Sequence, residues 1–435
     1  MTMNWRNVGL FAVMALLFVL IGEFRSWSSS LFILNFCLIS AVMSLGVNIQ
    51  WGYAGLLNVG IMGFVALGGV AATLVSIPAV PGAIEAGGAG ILISLVCAAV
   101  TIGLISIIYF RTTGSRRGLL ITVVGVVGYF ITRHFFDPAV GAIEAYDSAG
   151  TGNLGGLNLP ILFSWIVGGL LAAVAAWLIG KISLGLRSDY LAIATLGISE
   201  IIIAMLKNED WLTRGVKNVN GLPRPAVVPY EVDIQKTEYY QQLAADWGMS
   251  VIDLSSLIVK LSYASLFAVV LLIILFLSEK ALNSPWGRMM RAIRDNETAA
   301  EAMGKDVKGR HLQVFILGSA VVGIAGAMLT TLDGLFTPAA YQPLRYTFLI
   351  WVMVIVGGSG NNWGAVLGGF VIGFFWIEAE PLGLWLMDLI TSGLAEDSEL
   401  RAHLLKSAAH MRLMTMGIIL LLVLRFTPRG LIPER

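Results

Sequence analysis

Long apolar runs separated by short polar gaps organise this chain from end to end. A membrane crossing needs about 20 apolar residues, and shorter runs suit tilted, re-entrant or broken helices. Twelve runs are candidate crossings: 8–22, 31–49, 55–77, 90–110, 118–136, 160–180, 188–206, 254–278, 312–331, 346–358, 363–380 and 412–426. Two of them, 346–358 and 412–426, are shorter than a straight crossing requires. The expected fold is therefore an all-α polytopic membrane protein with about 10–12 transmembrane or re-entrant helices, and residues 1–435 read as a single transmembrane domain.

The polar gaps set the orientation. With the N-terminus inside, the cytoplasmic segments carry Arg111, Arg116 and Arg117, then Lys181 and Arg187, then the loop 279–311, then a tail with Arg425, Arg429 and Arg435. Short loops rich in Lys and Arg are retained on the cytoplasmic side, so both termini are expected there. The opposite side receives 137–159, which contains Asp137, Glu144 and Asp147 and no Lys or Arg, and two extracytoplasmic inserts, 207–253 and 381–411. In the first insert G-L-P-R-P-A-V-V-P should be extended, and 237–249 predicts a helix presenting Tyr239, Tyr240 and Trp247. Residues 1–22 resemble a signal peptide in having Arg6 before an apolar run, but Glu23-Phe24-Arg25 follows without a small-residue cleavage site, which favours a retained first span.

The loop 279–311 holds seven of the 28 Lys and Arg residues and is the most highly charged island between apolar runs. Ser284-Pro285 reads as an N-cap followed by proline at the first helical position. Trp286, Met289, Met290 and Ile293 then fall on one helical face, with Arg288 and Arg291 on the other, so this helix can rest on the membrane surface with its cations toward water or lipid phosphate. A second short helix follows. Asp295 or Asn296 can cap it, Thr298 and Glu301 match an S/T-x-x-E capping box one turn in, and Gly304 can close it in the left-handed conformation. A helix of about eight residues is unstable alone, so it is expected to dock on something outside the bilayer, although an ordinary loop with two solvated helical turns has the same spacing.

Composition narrows the class. At 57% hydrophobic and 13% charged residues, with a mean hydropathy of +0.82, the chain is far less charged than globular domains, which average about 25%. The net charge of +1 and the lack of a basic tail give no reason to expect nucleic acid as a partner. Cys37 and Cys97 lie in apolar runs as small hydrophobes, and His134, His311, His403 and His410 form no metal-ligand spacing, so no metal or cofactor is assigned. There is no G-x-x-x-x-G-K-[ST] phosphate loop: Gly304-Lys305 is followed by Asp306. Any ATP-driven step needs another chain.

Three features suggest a path. Gly52, Gly55, Gly60, Gly63, Gly68 and Gly69 surround Asn58; glycines allow close helix packing, and they also allow a helix to break where it lines a cavity, so Tyr53 to Asn58 can form an unwound cytoplasmic opening of the path. A second stretch has Gly360, Gly364 and Gly368 at four-residue spacing and the same expected direction, which suggests a parallel internal repeat. Glu200 sits well inside the run Tyr190 to Leu206, where a carboxylate costs on the order of 2.5 kcal/mol or more at midplane. It is either a satisfied carboxyl locking two helices or a residue meeting water and substrate.

The run S-P-W-G-R-M-M-R-A-I-R-D-N-E-T-A-A-E-A-M-G at 284–304 resembles the coupling loop of ABC importer permeases, specifically the branched-chain amino acid (LivM-type) permease family. G-Y-A-G-L-L-N-V-G-I-M-G-F-V-A-L-G-G at 52–69, S-D-Y-L-A-I-A-T-L-G-I-S-E-I at 188–201 and V-G-G-S-G-N-N-W-G-A-V-L-G at 356–368 agree with it in order. The resemblance implies a non-catalytic permease subunit of a bacterial inner-membrane importer, moving branched-chain or related small amino acids. Its partners would be two ATP-binding subunits, a second homologous permease and an extracytoplasmic solute-binding protein. It assigns Asn296, Glu297, Thr298, Ala299, Ala300, Glu301, Ala302, Met303 and Gly304 to ATPase coupling, while Tyr53, Asn58 and Glu200 are the candidates for the path. Similar permeases carry urea or short amides. An ion-gradient-driven secondary transporter would need paired ionisable residues at mid-depth, and Glu200 is nearly alone; an intramembrane enzyme would need a nucleophile and base or metal ligands there.

Overall fold

The computed structural model describes residues 5–148, 150, 152–393 and 398–434. The chain forms α1 (Trp5–Phe24), α2 (Trp27–Ala54), α3 (Ile61–Ser76), α4 (Ala89–Arg111), α5 (Ser115–Ala145), α6 (Leu162–Ser183), α7 (Ser188–Asn208) and α8 (Val251–Leu282). The short pair α9 (Pro285–Asp295) and α10 (Glu297–Ala302) follows, then α11 (Val307–Asp333), α12 (Pro343–Gly357), α13 (Asn362–Thr391) and α14 (Met411–Phe426). Each expected crossing coincides with one of these helices. Ten are long and apolar enough to cross a membrane, counting α4 and α14 with the helical turns that precede them from Pro81 and Glu399. The two short apolar helices are α3 and α12, so 55–77 is shortened and 412–426 is not. Among the described residues the only strands are β1 (Val219–Asn220) and β2 (Leu335–Phe336), an antiparallel pair that ties the insert 207–253 to the loop after α11. The molecule is an all-α polytopic membrane protein.

Two expected boundaries are overrun. Helix α5 continues through Pro138 to Ala145, and α13 continues through Pro381 to Thr391. Proline is tolerated in membrane helices because neighbouring groups can satisfy the freed carbonyl. The segment expected as an insert from 381 is therefore helical at its start, and its residues 394–397 lie outside the described residues.

Helix α3 is the centre of the bundle: every residue except Leu67 and Leu74 is buried. Helix α2 is continuously buried from Cys37 to Gln50, as expected of a helix apolar on all sides. Glycine makes this density possible. A Cβ on Gly68 would overlap the carbonyl oxygen of Gly323, one on Gly323 would sit 2.5 Å from the carbonyl oxygen of Gly168, and one on Gly168 would lie 3.0 Å from the Cα of Gly68. Helices α3, α6 and α11 thus meet backbone against backbone, the close approach that small residues permit in membranes. By contrast α4 and α5 form a hairpin whose Leu92, Val100, Phe110 and Phe130 remain exposed, a surface suited to lipid.

Both ends of the bundle are tied. At the end carrying the Lys- and Arg-rich loops, here the basic end, the backbone N–H groups of Leu431 and Ile432 in the tail donate to Val356 O and Gly357 O, each at 2.9 Å. At the opposite end Arg25 pairs with buried Glu378 at 3.0 Å and Arg412 with Glu380 at 2.7 Å. The insert 207–253 contains the helix Glu238–Asp246 with Tyr239 and Trp247 exposed, and an Arg224–Glu231 ion pair at 2.5 Å.

Gly68→Val is expected to destabilise the purified chain by about 1–3 kcal/mol or more, the cost of overpacking a filled core. Denaturation in detergent checks this, with Gly103→Val, which meets nothing within 4 Å, as the neutral control. In the insert, partial burial pushes the Glu231 carboxyl up, but the Arg224 hydrogen bond and charge outweigh it and hold the group below its ordinary value. The stabilisation is present above the unfolded carboxylate value of about 4.3 and is lost as pH falls through the lower folded value. Because the pair is partly exposed, the effect should stay below about 1 kcal/mol. The hydrogen-exchange protection of 222–236, taken relative to the intrinsic rate at each pH, should fall on acidification in the wild type and show no such step in Glu231→Gln.

Candidate functional site

The basic end gathers most of the sequence-predicted residues. Helix α9 forms because Ser284 Oγ accepts the Gly287 N–H at 3.4 Å and Pro285 occupies the first turn. Its apolar face is driven into the bundle: Met290 and Ile293 are buried, and Trp286 sets its ring edge on Tyr53 with centroids 6.5 Å apart. Arg288 is exposed, as the spacing required. Arg294 is not free. Its guanidinium donates to the carbonyl of Gly52 at the end of α2 and pairs with Glu434 of the tail at 2.9 Å. A cation at a helix C-terminus is favourable because the last carbonyls there have no intrahelical donor.

Helix α10, Glu297–Ala302, is shorter than the expected eight residues, and of the two caps the sequence offered it uses Asn296. Asn296 Oδ1 accepts the Ala299 N–H at 2.9 Å, so Asn296 is the cap and Thr298 lies within the first turn. Gly304, at φ +76°, closes the helix, with Lys305 N–H donating to Ala300 O at 3.1 Å. Only Ala300 is buried; Glu297, Thr298, Ala299, Glu301, Ala302, Met303 and Gly304 are exposed, Met303 at 79%. Two turns capped at both ends and held at one residue present a rigid, mostly uncovered face.

Behind this face lies a buried polar network. Tyr53 Oη donates toward Asn362 Oδ1 at 2.5 Å and Ser278 O at 3.2 Å. Asn362 Nδ2 donates to Glu279 Oε1 at 3.1 Å, Asn48 Nδ2 donates to Asn362 Oδ1 at 3.1 Å, and Gly360 N–H donates to Asn48 Oδ1 at 2.9 Å. Helices α2, α8 and α13 are thereby joined beside α9. Tyr53 remains helical; the chain unwinds only from Gly55 to Gly60.

Asn58 shapes that break. Its Oδ1 accepts the Gly60 N–H at 2.9 Å, its Nδ2 donates to Gln50 Oε1 at 2.9 Å, and its carbonyl accepts from Trp351 Nε1 at 2.9 Å. Tyr53 and Asn58 are both fully buried and hold helices together rather than facing open space. Glu200 lies elsewhere. It is on the exposed face of α7, while its neighbour Ser199 packs against Gly63. The residues that sequence reasoning missed are Asn48, Gln50, Arg294, Asn362 and Glu434. Asn48 and Gln50, polar within an otherwise apolar stretch, were the available signal.

Comparison with known proteins agrees with this arrangement. Residues 139–424 match the family model described as branched-chain amino acid transport system / permease component. The chain is similar to the high-affinity branched-chain amino acid transport system permease protein LivM of Escherichia coli (strain K12), 29% identical over 47% of this chain and 48% of that protein. It is similar over a longer stretch to the probable branched-chain amino acid transport permease protein LivM of Methanocaldococcus jannaschii, 25% identical over 91% of this chain and 90% of that protein. To the probable LivH permease of the same organism it is 34% identical over 26% of this chain and 34% of that protein. The match thus spans about half the length of the bacterial relative and nearly all of the archaeal one. No solved structure gave a significant match. With the family model matching residues 139–424, more than half of the chain, and ten helices among the described residues able to cross a membrane, the chain belongs to the branched-chain amino acid transport system permease components, multi-pass proteins of the inner membrane.

Proposed function

We propose that the chain is one of two permeases in an ABC importer for branched-chain or related small neutral amino acids. The observation that carries this is α10, exposed, capped at both ends and joined through α9 and Arg294 to the end of α2. Two ATP-binding subunits would dock on α10 from the cytoplasm, the side to which the basic loops belong. Closure of the ATPase pair would push α10 and, through the covalent joints at its ends, α8 and α11. The Tyr53–Asn362–Glu279 network would carry α2 and α13 with them, so the push moves a body rather than a loop.

Uncovered surfaces support the remaining partners. The two M. jannaschii relatives, LivM and LivH, support a second permease that is related but different. The outward face of α7, with Glu200 near its middle, is the surface proposed to meet that permease, since a mid-membrane carboxylate against lipid is costly. The insert 207–253, on the side opposite the basic loops, would receive the solute-binding protein, with Tyr239 and Trp247 as exposed aromatic contacts.

Affinity purification from native membranes should bring down ATP-binding subunits and a second permease with the wild-type chain, and lose the ATPases alone with Glu301→Arg/Ala302→Arg. A wild-type chain recovered alone and active in ion-driven uptake would overturn the importer reading. Arg294→Ala separates docking from transmission: the ATPases should still co-purify, while uptake per ATP hydrolysed falls about tenfold or more.

A further inference from the structure

A cavity of about 450 Å³ lies between α2, α11, α12 and α13 and is roofed by the loop after α11. This volume is within the roughly 300–1,000 Å³ range of small-molecule sites. Its walls are apolar, with Phe36, Leu329, Leu349 and Ile350 among them. Its floor, toward the basic end, is made of Met43, Met62 and Met353, each less than a tenth exposed. Below that floor lies the Trp351–Asn58 hydrogen bond. Methionine is unbranched and repacks readily, so such a floor closes a cavity without sealing it permanently.

Two charged residues line this cavity, one of each sign: Asp333 at the end of α11 and Arg412 at the start of α14. Among the described residues nothing donates to the Asp333 carboxylate, and its side chain is accessible. Arg412 is held by Glu380 through Nη2 at 2.7 Å and sits 5.1 Å from the Trp376 ring centroid, which fixes its guanidinium beside the cavity. The cavity therefore offers one anionic acceptor, one cationic donor and an aliphatic interior.

We infer that this cavity is a binding chamber of the permease itself for a zwitterionic amino acid with an aliphatic side chain. The ammonium pairs with Asp333 and the carboxylate with Arg412 near the mouth, while the side chain extends toward the methionine floor. The inference rests on the reading of the chain as an amino acid permease. It adds that selectivity is exercised within the membrane chain as well as by any soluble partner.

The test uses the full-length chain alone in lipid nanodiscs, titrated with L-leucine, with 4-methylpentanoate, which lacks the ammonium, and with 3-methylbutylamine, which lacks the carboxylate. L-Leucine should bind saturably below about 10 mM. Asp333→Asn should weaken leucine about tenfold or more and leave 4-methylpentanoate unchanged; Arg412→Gln should weaken leucine similarly and leave 3-methylbutylamine unchanged. Retained binding of the analogue also shows that each variant is folded. Absence of leucine binding to the wild type, or leucine binding indifferent to both substitutions, overturns the assignment. A chain that captures its ATPases but binds no leucine sinks the chamber and leaves the importer; one that binds leucine but captures no ATPase does the reverse.

Discussion

No water is available in a bilayer core to satisfy a backbone N–H or C=O, so a helix there can break only where other protein groups supply the missing hydrogen bonds. This chain breaks twice at one end, between α2 and α3 and between α12 and α13, and each break is satisfied by groups from other elements. Gly360 N–H finds Asn48, Val59 N–H finds Thr195 Oγ1 at 3.0 Å, and the carbonyls of Val356 and Gly357 are taken by the tail. The breaks, the tail and α9 therefore cannot move independently. A site for receiving mechanical force would have to be built on such a region, because a push on an isolated loop would be absorbed locally.

The buried amides have a second consequence. Asn48, Gln50, Asn58 and Asn362 are polar groups in the core of an apolar bundle, and they are tolerated because they are paired with one another or with backbone. Removing one leaves its partner unsatisfied, which costs more than the bond contributes. Such a network has discrete arrangements rather than a continuum, which suits a machine that alternates between two states.

Much of this was legible in the chain. The twelve apolar runs, the Ser284-Pro285 start, the Asn296 cap and the Gly304 stop are local signals, and local chemistry decided them. The shortening of α3 was hidden because residues 55–60 contain Gly, Leu, Asn and Val and so are nearly as apolar as a span. Arg294 read as one more cation of a basic loop, since its partners Gly52 and Glu434 lie far away along the chain. Glu200 could be placed in depth but not in azimuth: α7 turns it away from the bundle, and periodicity alone did not fix which face would be covered. The cavity was invisible for the same reason, its walls coming from five separate stretches.

The glycine contact among Gly68, Gly168 and Gly323 has no side chains to change rotamer, and with Gly318 on Gly46 and Gly326 on Val65 it holds the middle of α11 backbone against backbone. A tilt of α11 would be centred there. From Val307, next to α10, to Gly323 the helix spans about 24 Å, and from Gly323 to Asp333 about 15 Å, at 1.5 Å per residue. A rigid α11 pivoting there would convert a lateral displacement at its basic end into one about 0.6 times as large, and opposite in sign, at the carboxylate beside the cavity.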